Sequence, residues 1–336
     1  MNFTREILYA RHRLSHQQID RCLGENRSKD YLQEKIRCMK MVKNFLTLTD
    51  LLQQNEVFFI NLKGPLLSYR IYHDPTIRFW HDIDLLIEEK DIERVMKILF
   101  ENGYCLAEGT IWPQNRIQQK LFINSFHHLI FFNKQQLYVE IHWVLLHEIP
   151  LTKNKMKGLV AGNLADMEFN GRKFMVLNKE IELLFLMIHG SRHGWNRLKW
   201  LVDINDYPLE EVDLRTFHLL ANQLHAGRIV GQTNYFVQKY FNNRIPLNGN
   251  NRLPGHFIRY AQLAIDREIN EDLSVSEMIA KYRYLWVLYQ GLFYKIKMTA
   301  IVLMRPGKIS FLNLSYKLAD FLYPPYRFIK RSILKT

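Results

Sequence analysis

Two aspartates that alternate into an apolar run, Asp82-Ile83-Asp84-Leu85-Leu86-Ile87, restrict this chain more than any other feature. The alternation predicts a strand, and on a strand residues 82 and 84 share one face. Two carboxylates side by side repel unless positive charge lies between them. Mg2+ suits that place, because it takes oxygen ligands and keeps positions for phosphate oxygens. On this reasoning, neutralising Asp82 or Asp84 would leave the fold intact or slightly more stable. A third carboxylate, Glu140, lies in a second strand-like run, LYVEIHW, among apolar neighbours. A carboxylate there is costly without a partner, so Glu140 is expected beside Asp82 and Asp84. His142 flanks Glu140 and is assigned to the opposite face, with a structural role; Trp143 and Trp200 are assigned to the core.

The surrounding pattern sets an order of elements. Residues 3–54 are proline-free with apolar positions near helical spacing, which predicts two helices broken around 24–29. A short β-rich run at 57–62 leads into Lys63-Gly64-Pro65, a turn with proline at the start of a helix over 66–72. A helix is expected over 91–102, then strands at 128–132 and 137–144 joined as a hairpin, and a smaller hairpin around Asn170-Gly171 at 165–177. From 178 onward the pattern is almost wholly helical, punctuated by prolines. The expectation is an α+β protein: an N-terminal helical segment (1–55), a small mixed-sheet core (56–150) and a mainly helical part (151–336) that carries the 165–177 hairpin.

An isolated DxD is more often a solvated strand edge. Here it stands in a series of strand, Lys63-Gly64, helix, Arg78, DxD strand, helix and acidic strand. That series resembles the nucleotidyltransferase superfamily of the DNA polymerase β type. More narrowly, LKGPLLSYRIYHDPTIRFWHDIDLLI, YVEIHW and HGSRHGWNRLKWLVDI resemble an uncharacterised bacterial nucleotidyltransferase family. The resemblance implies that Asp82, Asp84 and Glu140 are the catalytic and metal-binding acids, with two Mg2+ ions, and that Lys63, Gly64 and Arg78 lie near the nucleotide. It implies transfer of a nucleoside monophosphate from a nucleoside triphosphate, ATP being the expected one, to an acceptor left open among sugar, lipid-linked, peptide and protein groups, with release of pyrophosphate. Glu140 either completes the metal site or takes the acceptor's proton. Pro65 stands where the superfamily has a second small residue, and it lacks an N–H that could bind phosphate. The alternative reading is therefore a catalytically inactive nucleotide- or partner-binding module of the same fold.

His189 and His193 are four apart on an expected helix, without the third ligand that a zinc site needs. They are assigned instead to the substrate cleft, with Arg192, Arg197 and Lys199 supplying positive charge, and Asp203 is expected to pair with one of these bases. The formal charge is +13, of which 281–336 holds +10, with twelve aromatics among its bases. Packed helices with a basic outer face account for that composition; peripheral contact with an anionic membrane surface is a second reading, and nucleic acid a weaker one. Three widely spaced cysteines and an N-terminus without a hydrophobic leader lead to the expectation of a cytoplasmic protein.

Overall fold

Helix caps and turn residues punctuate the chain where the pattern placed breaks. The computed structural model describes residues 3–25, 31–108, 110, 112–147, 149, 151–250, 252–267 and 274–304. The N-terminal segment contains α1 (Arg5–Ala10), α2 (His16–Leu23) and α3 (Tyr31–Gln54), one helix more than the pattern predicted. The extra break lies at 11–15, where Arg13 takes a left-handed φ of 59° and Ser15 caps α2 in a capping box with Gln18. Gly24, at φ 67°, ends α2 as expected.

Among the described residues seven strands form one mixed sheet: β1 (Phe59–Asn61), β2 (Asp82–Ile87), β3 (Tyr104–Leu106), β4 (His128–Asn133), β5 (Tyr138–His142), β6 (Leu164–Phe169) and β7 (Arg172–Leu177). Their order across the sheet is β3-β4-β5-β2-β1-β7-β6. The β4–β5 turn is held by Asn133, whose Oδ1 accepts from the N–H groups of Gln135 (2.9 Å) and Leu137 (3.1 Å). The β6–β7 turn is Asn170-Gly171 with both residues at positive φ, as a tight hairpin requires. This hairpin joins the core sheet, because β7 pairs in parallel with β1 at Asn61 and Val176. The fold is thus α+β with a mixed sheet.

The sheet's two faces differ. Phe59, Ile83, Leu85, Ile87, Val139 and Ile141 pack on one side against α3 and the helix α5 (Ile92–Glu101). Ile60, Leu62 and Leu86 point the other way, into a core shared with the helical part. That part includes α8 (Lys179–Arg192), α9 (Lys199–Asn205), α11 (Gly227–Phe241), α13 (Val275–Leu288) and α14 (Leu292–Met304). Trp195 is fully buried there and donates from Nε1 to Gln232 Oε1 at 2.9 Å. Trp143 and Trp200 are buried, as expected. Of the basic segment 281–336, residues 305–336 lie outside the described residues. No described helix is long and apolar enough to cross a membrane.

Candidate active site

The strand pairing decides which acids meet. β2 and β5 run parallel, with Asp84 opposite Glu140 and Asp82 opposite Tyr138. Asp84 and Glu140 are therefore immediate neighbours on the sheet face that looks toward the helical part. His142 joins them. Its Nε2 lies 3.2 Å from Asp84 Oδ1 and 3.3 Å from Glu140 Oε2. The expectation that His142 points to the opposite face is corrected: residues two apart on a strand share a face, so the alternation that grouped 82 with 84 also groups 140 with 142. Ligand atoms of Asp84, Glu140 and His142 all lie within 4.8 Å of one another. Asp82, at the half-buried start of β2, is outside that group, and its charge acts on Arg197 and Lys199.

Lys63 closes the arrangement from the β1–α4 turn, where α4 is Pro65–Tyr72. Its Nζ is 3.7 Å from Asp84 Oδ2 and 3.4 Å from His189 Nε2. Gly64 has φ 72° and ψ −141°, a conformation open to glycine, and this turns the chain sharply into α4. Pro65 occupies the first helical position, where an N–H has no partner within the helix in any case.

These contacts set the site's charge. Burial raises the Asp84 carboxyl's affinity for a proton, but Lys63, the hydrogen bond and charge of His142, and Arg78 outweigh it and hold Asp84 well below the usual carboxylate range. Burial opposes a proton on His142, yet its hydrogen bonds to Asp84 and Glu140, and their charges, raise it above an ordinary imidazole. Asp84 and Glu140 thus do not simply repel: a cation and an imidazole lie between and beside them.

Other expected residues are placed as follows. Arg78 is buried, and its Nε lies 2.9 Å from both Asp203 oxygens. Asp203 accordingly pairs with Arg78 rather than with Arg192, Arg197 or Lys199. Lys199 donates from Nζ to the Phe79 carbonyl at 3.3 Å, and burial and Arg78 bring its pKa down to about 7 against the pull of Asp82 and Asp203. The rings of His189 and His193 lie 4.8 Å apart, and each contacts Trp200. Burial and Lys63 keep His189 neutral, well below its ordinary value. The strands also bring His127 and His128 beside His142, with rings 6.1 and 5.2 Å from it, and His127 stacks on His147. The sequence reading leaves His127, His128 and His147 unremarked and puts His142 on the wrong face, although the strand's own alternation carries the signal for His142.

Comparison with known proteins gives three results. A family model described as an uncharacterised nucleotidyltransferase matches residues 7–242. No curated protein matches. Among solved structures, a lincomycin-bound lincosamide antibiotic adenylyltransferase is similar at 17% identity and a TM-score of 0.30, over 43% of this chain and 84% of that one. The match to the family model spans β1 through β7, including the Asp84, Glu140 and His142 cluster, and the chain accordingly belongs to this uncharacterised nucleotidyltransferase family.

Proposed function

We propose that the chain transfers a nucleoside monophosphate from a nucleoside triphosphate to an acceptor, using Mg2+ held by Asp82, Asp84 and Glu140. The observation that carries this reading is the parallel pairing of Asp84 with Glu140 beside Lys63, in a member of a nucleotidyltransferase family. Neighbouring carboxylate oxygens are the hard donors that Mg2+ takes, and a bound ion would offset the charge that develops on the triphosphate. Lys63 and the Gly64 turn face the phosphates. His142, hydrogen-bonded to both carboxylates, orients them. Glu140, with 24% of its side chain exposed against 4% for Asp84, is the more accessible of this neighbouring pair to an approaching acceptor hydroxyl.

The test uses α-labelled ATP, GTP, CTP and UTP with a panel of sugar, lipid-linked and peptide acceptors. Label transfer and pyrophosphate release are expected with Mg2+ and absent with EDTA. Mg2+-dependent nucleotide binding without pyrophosphate release across the panel would instead favour the inactive binding module. Peripheral contact with an anionic surface through 281–336 belongs to the same reading, supported by exposed Leu292, Phe293 and Ile296 beside Lys295 on α14. Co-sedimentation with anionic vesicles at low salt, lost at high salt, is expected; no binding at low salt removes this part.

A further inference from the structure

Next to Asp82 the surface gathers arginines from distant parts of the chain. The turn after α1 is fastened to the start of α9: Leu198 N–H donates to His12 Nδ1 at 3.1 Å and Lys199 N–H to the His12 carbonyl at 3.4 Å. This sets Arg13 alongside Arg197 and Lys199. Phe79 is the hub on the other side. The Arg37 guanidinium, from α3, lies 5.4 Å from its ring centroid, the His81 ring meets it edge-on at 4.4 Å, and its carbonyl accepts from Lys199. Arg37, Arg13, Lys199 and Arg197 all act on His81, one residue before Asp82.

Three features separate this cluster from an ordinary solvated basic face. Arg13, Arg37 and Arg197 are exposed, and among the described residues no carboxylate forms an ion pair with any of them. Two of the guanidiniums lie over aromatic rings, Arg37 over Phe79 and Arg197 over Trp200 at 6.0 Å, which restrains them before any ligand arrives. Arg13, at a left-handed φ of 59°, directly follows the His12 that accepts from Leu198 N–H, so its backbone is anchored to the start of α9.

We infer that Arg13, Arg37 and Arg197, with Lys199, form a phosphate-binding subsite beside Asp82, distinct from the Lys63–Gly64 turn. Planar guanidinium forks match phosphate oxygens, so the ligand class is a phosphate ester or diphosphate. Two substrates could present that group: an acceptor carrying its own phosphate, or the nucleotide's outer phosphates. Assigning the group to a substrate rests on the transferase reading; the anion site itself does not.

Calorimetric titration of inorganic pyrophosphate into the full-length protein, at low salt with EDTA, tests the site without metal or turnover. Wild type should bind it, and R37Q/R197Q should bind at least tenfold more weakly with an unchanged melting temperature. The single variant R37Q, on the outer face of α3, carries the same comparison should the double variant fold poorly. Failure of wild type to bind, or equal affinity in the arginine variants, overturns the proposal. A parallel titration with MgATP identifies the source: a tenfold loss in R37Q/R197Q assigns the nucleotide's phosphates to the subsite, and unchanged affinity assigns an acceptor's. If MgATP binds to no variant while pyrophosphate still binds through the arginines, the transferase reading fails and the subsite stands.

Discussion

Asp84→Asn is expected to lower nucleotidyl transfer by about 10²–10³-fold, the scale on which removing one fixed electrostatic contact to a reacting centre acts. It is also expected to lower stability at neutral pH. The sign follows from the folded-state carboxyl, which is held below its ordinary value by Lys63 and His142 against its own burial. A depressed carboxyl contributes stability that is present above its unfolded pKa and lost as pH falls toward the folded one. Asparagine forfeits that contribution and leaves Lys63 and His142 facing a neutral amide, at a cost of about 1–3 kcal/mol. Pyrophosphate release and a thermal melt measure the two effects together. Full activity removes Asp84 from the mechanism, and a raised melting temperature restores the view that the acids mainly repel.

The largest structural effect should come from Asp203→Ala. Arg78 and Asp203 are 3% and 0% exposed in their side chains, and the two Nε contacts at 2.9 Å tie the approach to β2 to α9. The Arg78 backbone N–H also donates to Ser68 Oγ at 3.0 Å, so this arginine has little room to reach water. Leaving its charge buried and unmatched costs about 3–5 kcal/mol. Replacing both partners by apolar residues of similar volume, as in R78M/D203L, should recover most of the loss, because no charge then remains buried. Urea denaturation of the single and double variants separates the two cases. A double variant as unstable as Asp203→Ala would show that the pair's value lies in packing and not in charge.

Local alternation made the centre of this molecule legible. β2, β4, β5 and α5 fall close to where periodicity placed them, and the meeting of Asp84 with Glu140 follows from apolar neighbours that force both strands inward. The same rule, applied consistently, would have included His142. Short elements with weak patterning escaped: β3 is three residues long with Cys105 exposed, α6 (Arg116–Ser125) is polar over most of its length, and α7 (Lys153–Ala161) carries its buried Met156, Leu159 and Val160 among lysines. Alternation gives a face but not a depth, so it could not distinguish half-buried Asp82 from buried Asp84. Nor has it any signal for Arg78 meeting Asp203, or Arg13 meeting the start of α9, since both depend on how remote segments pack.

The parallel pairing of β7 with β1 bears on how the protein is made. During synthesis Phe59–Asn61 leaves the ribosome long before Arg172–Leu177 does, so one side of β1 stays open in the nascent chain. An unpaired strand edge is a template for joining other chains, and contacts between distant residues form slowly. The sheet that carries Asp84 and Glu140 is therefore completed only after translation has passed residue 177, and a chain halted before that point would expose an unpaired strand edge.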